Sequence, residues 1–395
     1  MPSASETFLT HLAQTSPHPL QLEVSHAEGS YIFDQSGKKY FDLISGIAVS
    51  NIGHRHPKVV DAIKQQVDKY LHVMAYGEFI QNPQNQLALE LTKLLPSTLN
   101  SCYFVNSGAE ANEGALKLAK RITGRTELIA CKKSYHGSTH GALSVSGNET
   151  KKNAYRPLLP DVRFIEYNNT TDLSQITDKT AAVIIEPIQG DAGVRIPSEN
   201  YLKELRQRCT AVGAQLIFDE IQTGFGRTGK LFAFEHFDVI PDILTIAKAF
   251  GGGMPIGAFV SDKWQMDLLT HSPMLGHITT FGGHPVNCAA ALANLRVIQE
   301  EHLIEGIEAK GALLEKHINH PSIKEIRRKG LMFAVEFESP ETVQKIVLKC
   351  LKEGIITFWF LSCPESFRLA PPINMTNEDL IHTGKIIREV INTST

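Results

Sequence analysis

The 395-residue sequence contains no apolar run approaching the ~18 residues that a membrane-crossing helix needs. Its opening stretch, "MPSASETFLTHLAQ", lacks the basic and apolar regions of a secretory signal. No pair of cysteines is spaced as CxxC. The six cysteines lie singly, and in a chain this long they read as reduced small hydrophobes, neither a disulfide framework nor a metal cage. Cytoplasmic residence is the expectation. Excess charge is missing too: a net charge of −3 supplies no electrostatic reason to bind nucleic acid or an anionic membrane. There is no fixed-period repeat and no low-complexity tract. What remains, 42% hydrophobic and 21% charged, is ordinary globular material, long enough for about two domains.

The middle of the chain alternates short apolar runs with helical patterns. "CYFVN" (102–106), "ELIAC" (127–131), "VRFIEY" (162–167), "AAVIIEP" (181–187), "QLIFDE" (215–220) and "ILTIA" (243–247) read as strands. Between the first two, "EANEGALKLAKRI" sets Ala111, Ala115, Leu118, Ala119 and Ile122 along one helical face. This alternation predicts an α/β fold around a mainly parallel sheet, whose ligand site lies at the carboxyl ends of the strands. After about residue 290 the pattern changes. An amphipathic helix, "ETVQKIVLKCLKEG", turns Val343, Ile346, Val347, Cys350 and Leu351 inward and stops at Gly354. It lies between strand-like "LMFAVEF" (331–337) and "IITFWF" (355–360), which suggests a separate α+β unit. Near the N-terminus, "GSYIFDQSGKKYFDL" reads as a hairpin through Gln35, Ser36 and Gly37. We expect a large domain over 51–289 and a small one joining 1–50 to 290–395.

Lys248 closes the run "ILTIA", just before three glycines. Either it reaches solvent at a strand end, or it is a nucleophilic amine kept partly neutral by its surroundings. Asp219 closes "QLIF" in the same way, and a buried ion pair would also account for both. "NSGAEANEGALKLA" places Ser107, Gly108 and Ala109 between strand and helix, where backbone N–H groups suit a phosphate or merely receive an ordinary cap. Tyr135 and His136 of "SYHGSTHG" follow another strand end, where an aromatic can stack on a flat ring or simply pack. Thr279 and Thr280 of "HITTFGGHP" are compatible with phosphate contact or with none.

Two patterns mislead. "GFGRTGK" (224–230) has the spacing of a triphosphate-binding loop, but Leu231 stands where that loop needs Ser or Thr for magnesium, and no helix pattern follows. His54 and His56 of "GHRHP" flank a turn beside a proline without nearby cysteine or carboxylate in the sequence, so no metal is expected there.

Taken in order along nearly the whole chain, "SGIAVSNIGHRHPKV", "NSGAEANEGALKLA", "YHGST", "EPIQGDAGV", "LIFDEIQTGFGRTGK", "DILTIAKAFGGGMPIGA", "TTFGGHP", "GLMFAVEF" and "RLAPP" resemble the class III aminotransferases, enzymes of fold type I that use pyridoxal 5′-phosphate (PLP). The acetylornithine and ornithine ω-aminotransferases are the subgroup most resembled, through "SGIAV" and "EPIQG". The resemblance implies that Lys248 attaches the cofactor and then serves as general base, and that Asp219 pairs with the pyridine nitrogen. It implies that Ile221 and Tyr135 pack on the two ring faces, Gln222 binds the phenolic oxygen, and Ser107, Gly108 and Ala109 hold the phosphate. His136 and Glu186 join the cofactor-binding set, and Thr280 reaches the phosphate of a neighbouring subunit, making the active unit a homodimer.

Arg368 matches the arginine that binds the α-carboxylate of glutamate or 2-oxoglutarate. Asp191 stands where the subgroup usually has the glutamate that neutralises this arginine, and, being one methylene shorter, implies a looser switch. Ser138 stands where a carboxylate-gripping arginine is usual, and Ile47 completes the substrate set. The reaction implied moves the terminal amine of an acetylornithine-like donor to 2-oxoglutarate. Another amine donor, or an aminomutase needing no separate acceptor, is the alternative.

Overall fold

The computed structural model describes residues 2–75 and 77–394. Among them, seven strands form the central sheet: β1 (Ser101–Val105), β2 (Glu127–Cys131), β3 (Val162–Ile165), β4 (Thr180–Ile185), β5 (Gln215–Asp219), β6 (Ile243–Ile246) and β7 (Gly257–Ser261), in the spatial order β1-β7-β6-β5-β4-β2-β3. Neighbours from β6 to β3 run parallel, and β7 is antiparallel to both β6 and β1. Two reversals at β7 therefore turn β1 back into line with the parallel set. The carboxyl ends of β1, β2, β4, β5 and β6 consequently share one edge of the sheet, which is where α/β sheets build ligand sites.

Six of the seven strands correspond to the apolar runs of the sequence, although the expected 162–167 and 181–187 stop earlier, at Ile165 and Ile185. The seventh, β7, escaped because "GAFVS" opens on a glycine and an alanine and follows a glycine-rich turn. All five of its residues are buried. The middle strand β4 is buried at every position, as a sheet covered on both faces requires. One cover is the helix Gly108–Thr123, which buries Ala111, Asn112, Ala115, Leu116, Leu118 and Ala119 against it. Each fully buried Leu or Ile contributes about 1.5–3 kcal/mol.

The predicted hairpin forms between strands Tyr31–Asp34 and Lys39–Asp42. Its second strand pairs in parallel with Ile355–Ile356, so residues 31–42 and the C-terminal segment share a sheet. The run "IITFWF" is not one strand. Ile355–Ile356 belongs to that sheet, whereas Phe358–Trp359 joins Glu325–Lys329, Met332–Glu336 and Ser366–Leu369 in another, because the chain crosses between sheets at buried Thr357. Helix Pro340–Lys352 buries Val343, Ile346, Val347 and Cys350, leaving Leu351 half-buried. Helix Pro285–Glu300 spans the 289/290 position at which the sequence pattern changes.

Both misleading patterns have structural uses. Arg227 of "GFGRTGK" is fully buried and donates to the carbonyls of Leu331 and Pro371 and, at 2.7 Å, to Asn51 Oδ1, bracketing three distant segments. His54 does have a carboxylate partner, Asp42 at 2.8 Å, and His56 lies 3.6 Å from Glu301. Both carboxylates arrive from other elements. No helix among the described residues is long and apolar enough to cross a membrane.

Candidate active site

A cavity of about 670 Å³ opens at the shared carboxyl edge of the sheet. Its walls include Ser107, Gly108, Ala109, Tyr135, His136, Ser138, Glu186, Asp219, Ile221, Gln222 and Lys248, so eleven residues singled out from the sequence meet in one place.

Lys248 stands two residues beyond β6 with φ +50, a left-handed conformation that a side-chain-bearing residue adopts only when its surroundings hold it there. Its side chain is half-buried. Burial pushes the ammonium below the ordinary lysine range and Arg368 adds to this, while Asp219, Glu186 and Asp191 oppose it.

Asp219, the last residue of β5, is 4% exposed and carries three donors on its carboxylate. Asn112 Nδ2 at 2.8 Å and His136 Nδ1 at 2.7 Å both reach Oδ2, and the Ile221 amide reaches Oδ1 at 3.1 Å. Asn112 also donates to the His136 carbonyl at 2.7 Å and accepts from Thr245 Oγ1 at 2.8 Å, tying helix Gly108–Thr123, the loop after β2 and strand β6 to one carboxylate. Sequence reading missed Asn112. A signal existed: it lies three residues before Ala115 and seven before Ala119, a polar side chain on a small apolar face.

Ser107 caps the helix Gly108–Thr123, its hydroxyl accepting from the Glu110 amide at 3.2 Å, and Glu110 reaches back to the Asn106 amide at 2.7 Å. The ordinary cap is present, and the amides of the helix start still border the cavity. Ile221 lies so close over this start that a Cβ on Gly108 would come within 2.8 Å of Ile221 Cδ1, which is why glycine stands there. Gly190 does the same for Gln222, whose Oε1 would lie 2.0 Å from an added Cβ.

Glu186, just beyond β4, is buried and accepts from the Tyr135 amide at 3.2 Å and the Gly190 amide at 2.8 Å. Burial raises its carboxyl to about 7, His136 opposing and Asp219 reinforcing the rise. Tyr135 is 41% exposed, and its hydroxyl sits 3.3 Å from Ser138 Oγ. His136 is buried behind Asp219, so its ring meets the carboxylate through Nδ1 while Nε2 is buried without a protein partner.

Arg368, on strand Ser366–Leu369, is buried and donates from Nη2 to Asp191 Oδ1 at 2.9 Å. Burial lowers its pKa and Asp191 opposes that. The shorter acid therefore does reach the arginine. Four expected residues lie off the cavity wall: the Arg368–Asp191 pair, Ile47 and Thr280. Val49 and not Ile47 lines its wall, Ile47 being half-buried with φ +65. Thr280 is exposed and absent from the wall, whereas Thr279 Oγ1 accepts from Asn106 Nδ2 at 3.2 Å and braces the rim.

Residues 12–391 match the family model described as aminotransferase class-III. Over 381 residues the chain is 39% identical to a [LysW]-aminoadipate semialdehyde/glutamate semialdehyde transaminase of Sulfurisphaera tokodaii, covering 94% of this chain and 95% of the relative. Over 377 residues it is 37% identical to an acetylornithine aminotransferase of Bacillus subtilis, with coverage of 94% and 95%. The fold superposes on the crystal structure of an ornithine aminotransferase from Toxoplasma gondii with a TM-score of 0.91 at 30% identity, covering 98% of this chain and 93% of the other. The chain belongs to the class III aminotransferases, and pyridoxal 5′-phosphate is its cofactor.

Proposed function

We propose that this enzyme transfers the terminal amino group of an acetylornithine-like ω-amino donor to 2-oxoglutarate, releasing an aldehyde and glutamate. One observation carries the reading: a single cavity is bordered by a lysine and a carboxylate that close adjacent parallel strands, beside a buried Arg368–Asp191 pair. Relatives named as acetylornithine and semialdehyde transaminases support a terminal-amine donor.

The cavity residues suit PLP. The amides at the start of a 16-residue helix favour its phosphate. The buried Asp219 carboxylate suits a ring nitrogen that must stay protonated, and Ile221 and Tyr135 suit the two flat faces. When bound, the cofactor supplies an electron sink for charge developing at the substrate carbon. Lys248 would hold it and would take and return the proton at that carbon. Burial disfavours its ammonium form, the direction a base at this position needs. Asp219 keeps the ring proton in place, and Asn112 and His136 hold the carboxylate at a fixed angle. Gln222 orients the ring oxygen. Arg368 pairs with Asp191 while a donor whose reacting carbon bears no carboxylate is bound, and serves the α-carboxylate of 2-oxoglutarate or glutamate in the other half of the cycle.

Two chains complete the site in this reading. Thr280 is exposed, and so are the apolar side chains of Met274, Leu275, Ile278 and Phe281 around it and of Leu71, Phe79 and Ile80, with Ile80 94% exposed and Met274 78%. A homodimer covering them would deliver Thr280 to the partner's cofactor phosphate.

The test is a donor screen against 2-oxoglutarate with N-acetylornithine, ornithine, lysine, 4-aminobutyrate and putrescine, alongside hydride trapping of the cofactor and peptide mapping. N-acetylornithine should rank first and the label should fall on Lys248. A label on another lysine, or turnover independent of any oxo-acid acceptor, overturns the reading.

Ser138 favours a second donor class. It is a neutral side chain, exposed in the cavity, where a carboxylate-ended donor would want a cation. Ser138→Arg should raise kcat/KM for N-acetylornithine and 4-aminobutyrate and lower it for putrescine, since a charge-assisted hydrogen bond is worth about 1.5–3 kcal/mol. An unchanged ranking would remove this position from substrate recognition.

A further inference from the structure

We propose that Ser362 is a positioning residue that keeps the Asp191 carboxylate seated when Arg368 turns to a substrate carboxylate; this rests on the reading of Arg368 as the acceptor's carboxylate site.

The Asp191 carboxylate is buried and receives three donors from one short stretch of the fold. Arg368 Nη2 at 2.9 Å and the Leu361 amide at 3.1 Å share Oδ1, while the Ser362 hydroxyl at 3.1 Å reaches Oδ2. Asn148 Nδ2 donates to that same hydroxyl oxygen at 2.9 Å. Because Asn148 Nδ2 can only donate, the hydroxyl accepts from it and its single proton goes to Asp191. The guanidinium, for its part, stacks on Phe360 with 4.3 Å from its central carbon to the ring centre, and its Nε is buried without a protein partner. The arginine therefore has unused donor capacity, while the aspartate has a second set of donors that does not depend on the arginine.

A buried carboxylate deprived of its only cation is costly unless hydrogen bonds remain to it. A carboxylate that travels with or away from its arginine needs a long side chain. Asp191 is short, and its seat on Leu361 and Ser362 lets it stay in place during the exchange. The looser switch expected from the missing methylene is thus compensated by a loop that comes to the acid. Without the Ser362 hydroxyl, Oδ2 loses its donor, and giving up Arg368 to a substrate becomes harder. The penalty falls on the half-reaction with the carboxylate-bearing acceptor.

The experiment measures both half-reactions of the holoenzyme separately, by single-turnover absorbance with N-acetylornithine and with 2-oxoglutarate. Ser362→Ala should raise the 2-oxoglutarate concentration dependence about tenfold and leave the donor half-reaction within twofold, by the usual worth of a hydrogen bond to a charged group. Ser362→Thr should restore the acceptor half, and Asn148→Ala should produce a smaller shift in the same direction. Equal losses in both halves would mean a merely structural role and overturn the proposal, as would an unchanged acceptor half. Arg368→Ala separates the two levels. If it leaves acceptor affinity intact, the carboxylate-site reading fails; if it abolishes that affinity while Ser362→Ala does nothing, only the role of Ser362 fails.

Discussion

Asp219 is the residue whose surroundings are most completely specified. Three donors converge on it, one from its own chain direction and two from elements more than 80 positions earlier in the sequence. An asparagine whose oxygen kept the bonds from Asn112 and His136 would turn its NH2 toward the Ile221 amide donor and would carry no charge to hold a ring proton. Asp219→Asn should retain the cofactor yet lose at least ~10²-fold in turnover, by general acid–base and electrostatic magnitudes. Steady-state kcat beside the cofactor's absorbance checks this, and near-normal turnover would mean Asp219 is not the ring partner. The sequence showed the aspartate, as an ionisable residue ending an apolar run. It did not show the residues that aim it, because hydrogen bonds between distant segments leave no periodic trace.

At the scale of elements, the turn that leaves β4 ties several site residues together, and its Glu186 lines the cavity. Glu186 receives amides from Tyr135 and Gly190, Gly190 makes room for Gln222, and Asp191 meets Arg368. Burial raises the Glu186 carboxyl from 4.5 to about 7. Between those values the folded protein holds a proton that the unfolded chain releases. The contribution of this group to stability is therefore fullest on the acid side and declines as pH rises through about 7. Glu186→Gln carries no such proton. The stability of the variant relative to the parent should rise from pH 5 to pH 8, by on the order of 3 kcal/mol if the group acts alone. Urea unfolding at each pH measures it, and parallel curves for the two proteins would count against a protonated Glu186.

For the whole molecule, the decisive expectation concerns the proposed pairing of two chains. Thr280→Ala should weaken cofactor retention although the residue is exposed and lies off the wall of its own chain's cavity. Mixed dimers of Thr280→Ala and Lys248→Ala chains would hold one site with both residues intact, so mixing under subunit exchange should recover part of the parent activity. Failure to complement would place any effect of Thr280 within a single chain.

Periodicity and strand-end chemistry were legible along the chain itself: six of the seven strands of the central sheet, a helix with an alanine face, and Lys248 and Asp219 following their apolar runs. These follow from local rules, since burial imposes its period on neighbouring residues and a charge cannot continue a buried strand. The succession of motifs also sufficed to suggest the family, which the comparisons then established. Folding alone decided the partnerships: Asp42 with His54, Asn112 with Asp219, Arg227 with Asn51, and Asp191 with Arg368 across 177 positions. It also decided that "IITFWF" divides between two sheets and that β7 reverses to bring β1 to the cavity edge. Such choices depend on strand order and on which surfaces meet, and those are set by the simultaneous burial of segments far apart in the chain, which no short window of sequence contains.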